Sequence, residues 1–115
     1  VLANGLGGLG YGTGAGGAVT QVTSRTTGVT LDKPCGAITL FSAAGSVTPA
    51  SFVVTNAKVS ALDTVNISQK SGTNDYVACV RRVAAGSFTV TFYTSGGTAT
   101  DAPVFNFAVV KAVIS

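Results

Sequence analysis

From residue 18 onward, short runs of β-branched and aromatic residues are each closed by Gly, Pro, Asn, Asp or Ser. That texture predicts strands separated by turns. The runs are AVTQVTS (18–24), TGVTL (27–31), GAITLF (36–41), ASFVVTN (50–56), DTVNISQ (63–69), YVACVRRV (76–83), SFTVTFYT (87–94) and VFNFAVVKAVI (104–114). In the seventh, Phe88, Val90 and Phe92 alternate with Ser87, Thr89, Thr91 and Tyr93, so one face is expected in a core and the other outside. Ala84-Ala85-Gly86 reads as a tight hairpin connection into it. No segment keeps a helical period beyond about a turn.

Two runs are apolar on both faces. Phe52 and Val54 oppose Val53, and Phe105, Phe107 and Val109 oppose Val104, Ala108 and Val110. Strands of that kind are covered on both sides, either by their own chain or by another subunit. About eight short strands with Gly- and Pro-containing connections predict an all-β fold, a two-sheet sandwich with a jelly roll as the leading topology. An immunoglobulin-like sandwich is the alternative, but there is no Trp to pack on a cysteine pair.

The opening VLANGLGGLGYGTGAGG has a different texture. Eight of the thirteen residues from Gly5 to Gly17 are glycine, which carries the largest backbone entropy to lose on ordering. Residues 1–17 are therefore expected to form an extended arm, and residues 18–115 the sandwich domain. Leu2, Leu6, Leu9 and Tyr11 punctuate the arm where a plain spacer would use serine. They are the candidate contacts to a neighbouring molecule. The tract also matches GxGxxG twice, at Gly5, Gly7 and Gly10 and at Gly12, Gly14 and Gly17. No strand precedes it and no helix follows, as a dinucleotide site requires, so no cofactor is expected.

Composition removes further chemistry. The chain has 115 residues, of which only 10% are charged, and no His. Without His there is no Ser-His-Asp or Cys-His site. The two cysteines, Cys35 and Cys79, form no zinc pattern. The acids are Asp32, Asp63, Asp75 and Asp101, and no pattern pairs them for glycoside hydrolysis. Asp32 and Asp101 stand beside Pro-containing turns, where Asx-type hydrogen bonds would end strands. The chain is thus expected not to be an enzyme, to hold no metal and to act on no small-molecule substrate. A net charge of +3 spread over separated cations, with only Arg81 and Arg82 adjacent, is not the basic stripe of a nucleic-acid binder. No apolar run reaches the ~20 residues of a membrane span. A surface this poor in charge fits a protein that buries much of it against other subunits.

The stretch GYGTGAGGAVTQVTSRTTGVTLDKPCGAITL (10–40) resembles the start of small structural proteins of tailed bacteriophages. ASFVVTN (50–56), AAGSFTVTF (84–92) and VFNFAVVKAV (104–113) are similar to later parts of the same family pattern. Arg25 departs from the family's usual Lys, and Pro34-Cys35 interrupts a segment that is otherwise simpler. The resemblance implies a capsid decoration (cement) or head-fibre-like protein. Its implied partner is the major capsid protein, on the outside of the shell, and its implied assembly a homotrimer. The implied location is the virion, with the host cytoplasm during assembly. It carries over no catalytic residues. The alternative reading is a receptor- or glycan-binding domain of a head fibre or a tail fibre or spike, in which Tyr76 and Tyr93 would stack on sugars.

Overall fold

The structure, a computed structural model, describes residues 2–4, 8–12 and 14–112, with only the backbone described before Tyr11. It is a sandwich of two four-stranded sheets. The strands are β1 (Leu2–Asn4), β2 (Gly8–Gly10), β3 (Gly16–Thr20), β4 (Val29–Thr30), β5 (Cys35–Thr39), β6 (Ala43–Ala44), β7 (Ala50–Thr55), β8 (Thr64–Ser71), β9 (Asp75–Ala84), β10 (Ser87–Gly96), β11 (Thr100–Asp101) and β12 (Val104–Val110). One sheet has the order β3-β5-β12-β8 and the other β4-β7-β10-β9. Successive principal strands change sheets at every connection except the β9–β10 hairpin, the wrapping expected of a jelly-roll-type sandwich. The edge strands β3 and β4 join β5 and β7 in parallel, and the other neighbours within the two sheets are antiparallel.

Alternation along each strand sends one set of side chains between the sheets. Phe52, Val54, Phe88, Val90 and Phe92 meet Ile38, Leu40, Phe105, Phe107 and Val109 there, all buried. The rings interlock at tilted and edge-on angles, with centroids 5.4 Å apart for Phe88–Phe107 and 6.1 Å for Phe92–Phe105. Edge-on geometry adds to the burial because the positive rim of one ring meets the negative face of the next. The Val53 side chain faces out and stays 45% exposed, as does Val110 at 46%. Neither sheet has a third layer among the described residues, so the second apolar face has no cover from within them.

Two glycine-dependent details set the strand ends. A Cβ on Gly36 would lie 2.5 Å from the Gly17 carbonyl oxygen and 2.8 Å from Leu31 Cδ2. The Gly17–Gly36 rung is thus a socket that lets Leu31 pack between the sheets. At the β9–β10 turn, Gly86 takes φ +84°, and its N–H and carbonyl bond to Val59 O and Asn56 N at 2.9 and 2.8 Å. The hairpin tip is therefore tied to the loop after β7.

The sequence places β3 at residue 18, and the structure starts it at Gly16. Within residues 1–17, β1 and β2 pair antiparallel, Leu2 opposite Gly10 and Asn4 opposite Gly8. The short β6–β11 ribbon is a further element that the pattern does not announce. Two residues cannot carry a period, and tertiary contacts alone bring them together.

Candidate functional site

The two ends of the sandwich carry most of the polar structure. At the end where β3, β5, β8 and β10 finish, the loop after β3 turns on Gln21. Its side chain donates to the carbonyls of Arg25 and Thr27 and accepts from Phe41 N–H. That turn delivers the Arg25 guanidinium inward. Nε donates to Phe41 O at 2.8 Å, Nη1 to Tyr76 Oη at 2.8 Å, and Nη2 to Ala43 O, Asp101 O and Asp101 Oδ1 at 2.7, 2.6 and 3.1 Å. Its carbon sits 5.6 Å from the centre of the Tyr76 ring.

Asp101 is the hub of this cluster. Oδ1 also accepts from Tyr76 Oη at 2.6 Å and from Asn74 Nδ2 at 3.3 Å, and Oδ2 from Thr73 and Asn74 N–H at 2.9 and 3.1 Å. Burial alone would raise its pKa. The bonds from Tyr76, the Asn74 backbone, Arg25 and the Thr73 backbone outweigh that, and the carboxyl stays below its ordinary value. Burial, then the bond to Asp101, pushes the Tyr76 phenol up. Five donors on one carboxylate and three acceptor residues around the guanidinium besides Asp101 leave a closed arrangement. It clamps four loops together and turns no reactive group outward.

The opposite end has a second buried carboxylate. Asp63 accepts from Lys111 Nζ at 2.7 Å and from the Ser60 N–H and hydroxyl at 2.9 and 2.8 Å. The Lys111 hydrogen bond, reinforced by Ser60, holds its pKa down at about 2. Asp32 accepts from Ala57 N–H across the chain at 2.8 Å. Asp32 and Asp101 thus make long-range bonds instead of the local Asx turns expected of them. A local turn offers a carboxylate one or two donors, whereas the folded loops offer Asp101 more.

Between the ends, the outer face of the β3-β5-β12-β8 sheet holds an open depression of about 660 Å³. Gly16, Cys35, Ala37, Asn66, Asn106 and Ala108 line it, together with flanking strand residues, none of them charged. It exists because adjacent strands present only small side chains outward, and neither buried carboxylate borders it. On the other sheet the exposed face carries Val53, Val77 and Tyr93. Cys35 and Cys79 are both free and lie on opposite sheets. No group of three or more metal-ligating side chains occurs among the described residues.

Of the candidate arm contacts, Tyr11 is half-buried and its hydroxyl donates to the Val109 carbonyl of its own chain. Leu2 and Leu9 fall in β1 and β2, and only their backbone is described. Leu6 lies outside the described residues. Tyr76, a candidate sugar platform in the alternative reading, points into the core against Phe92 and Phe105. That placement leaves its ring half-buried and not laid open as a platform. Tyr93 remains 37% exposed.

Residue patterns gave no notice of the roles of Arg25, Asn74 or Lys111, and marked Asp101 only as a strand-ending residue. Arg25 and Asp101 stand 76 positions apart. The available hint is an isolated Arg in a loop of a chain with few charges, a residue that must be either solvated or deliberately paired.

Compared with known proteins, the chain matches no family model, no curated protein and no solved structure.

Proposed function

We propose that this chain is a virion structural protein, a capsid decoration protein that sits as a homotrimer on the outside of a major capsid protein shell and stabilises it. The observation that carries this reading is the pair of outer faces. Both sheets are left without a covering layer among the described residues and expose Val53, Val77, Tyr93 and Val110, with the uncharged depression on one of them. Such faces are incomplete in water and suited to burial against protein. The two buried carboxylates favour the same reading, since both are spent on holding loops. A protein that binds an assembled shell and not its free subunits stabilises it by mass action, and trimeric presentation multiplies weak contacts.

The test is the protein composition of purified particles of the virus that encodes the chain. A copy number comparable with that of the shell subunit supports decoration. One comparable with tail components overturns it in favour of a fibre or spike domain, and absence from the particle refutes both. A glycan-binding role would rest chiefly on the more exposed Tyr93, since the Tyr76 ring packs against Phe92 and Phe105.

A further inference from the structure

The chain's few charges are unevenly placed. Tyr76, Asp101, Arg25 and Asn74 mark one end of the sandwich, where Lys70 and Asp75 also lie. There two cations face two aspartates. The other end is defined by the β9–β10 turn, the loop after β7 and the exit of β12. It is held together by Asn56 Nδ2 donating to Lys33 O at 2.7 Å and by Lys111 Nζ donating to Lys58 O at 2.6 Å. The segments carrying Lys33, Lys58 and Lys111 therefore meet at this end, and Arg81 and Arg82 lie near the last rungs of β9. All five are exposed. Against them stand Asp32 and Asp63, so this end holds the whole net charge of +3. Of the five cations only Lys111 has a carboxylate within 4 Å among the described residues.

We infer that this basic end is a docking surface for a carboxylate-rich protein face. Unpaired exposed cations concentrated at one end orient an encounter with a negative partner and set its register. A protein fits better than a nucleic acid. A net charge of only +3 on cations that are mostly separated along the chain is not the continuous basic stripe a phosphate backbone follows, and among the described residues no exposed aromatic interleaves them to stack on bases. The chain also enters the fold here, since Tyr11 bonds to Val109 at this end. The point where the chain enters the fold and the cations thus share one end. In identifying the acidic face with a shell protein the inference rests on the proposed function; the charge asymmetry does not.

The experiment titrates poly-L-glutamate into the isotope-labelled full chain at low ionic strength and follows backbone amide shifts. Perturbations are expected at Lys33, Lys58, Gly86, Arg82 and Lys111, fading as salt is added. Lys33→Gln with Lys58→Gln should weaken binding roughly three- to tenfold, since exposed pairs each contribute modestly. Among the described residues neither side chain makes a hydrogen bond or ion pair that the fold would lose. Lys70→Gln, at the opposite end, should leave binding unchanged. Absent binding, shifts centred on Asp75 and Gly97, or an equal loss in Lys70→Gln would overturn the inference. So would a DNA duplex that occupies the same residues more tightly than polyglutamate. Virion composition is read independently, so a failure of either idea leaves the other standing.

Discussion

Replacing Arg25 with alanine takes one cation out of a cluster that joins four loops. The guanidinium is 10% exposed and its partner Asp101 side chain 4%. The variant strands the carbonyls of Phe41, Ala43 and Asp101 and leaves a buried carboxylate without its cation. An orphaned buried acceptor costs about 1–3 kcal/mol, and breaking a buried ion pair from one side about 3–5 kcal/mol. These overlap, because water entering the vacated space recovers part of each. The loss of the contact over Tyr76 adds about 0.5–1 kcal/mol. A net destabilisation of about 3–5 kcal/mol follows, a large share of the ~5–15 kcal/mol that holds a domain folded.

Urea unfolding followed by far-UV circular dichroism and tyrosine fluorescence measures it, Tyr76 serving as a probe inside the cluster because the chain has no Trp. Arg25→Lys should recover only a minor part, since an ammonium cannot span the same acceptors. A double-mutant cycle with Asp101→Asn should return a coupling of at least about 1 kcal/mol. A cost below about 1 kcal/mol for Arg25→Ala would mean a solvated surface pair, and the clamp would be refuted.

Three further outcomes are expected. Gly36→Ala should cost about 1–3 kcal/mol or more by driving a methyl into the Gly17 carbonyl and Leu31; a melting temperature equal to that of the parent chain would contradict the socket. Thr94→Val should be neutral or stabilising by up to about 1 kcal/mol, because Thr94 Oγ1 is buried without a hydrogen-bond partner among the described residues; a clear destabilisation would reveal a partner for that hydroxyl. Asp63 has its pKa lowered to about 2 from an ordinary 3.8, so its contribution is present above about pH 4 and lost as pH falls through 2. The urea midpoint should decline across that window, and Asp63→Asn should flatten the decline while lowering the midpoint at neutral pH. An unchanged acid limb in the variant would exclude Asp63 as its source.

Much of the fold was written in local pattern. Alternation such as Phe88-Thr89-Val90-Thr91-Phe92 needs no partner to reveal its period, and the core contains the residues that the alternation points inward. The eight principal strands and the two-sheet sandwich were legible for that reason. Whether the chain itself covers the second apolar face of the strands carrying Val53 and Val110 was left open by the sequence, and the structure leaves both residues exposed. The candidate surface was less legible. Tyr11 looked like a contact for a neighbour, and the fold gives its hydroxyl a partner within the same chain. Alternation placed Tyr93 on the outer face of its strand, and only the packing shows that Tyr76 turns inward.

The sequence by itself determined the strand periods, the turn positions and the shortage of charge, because each depends on residue type and near neighbours. Tertiary structure alone decided which strands share a sheet, the pairing of Arg25 with Asp101 and of Asp63 with Lys111, and the gathering of Lys33, Lys58 and Lys111 at one end. Those are contacts between residues distant along the chain. Hydrogen bonds and charges act over a few ångströms of space, and no local pattern reports which segments the closed sandwich will bring within that reach.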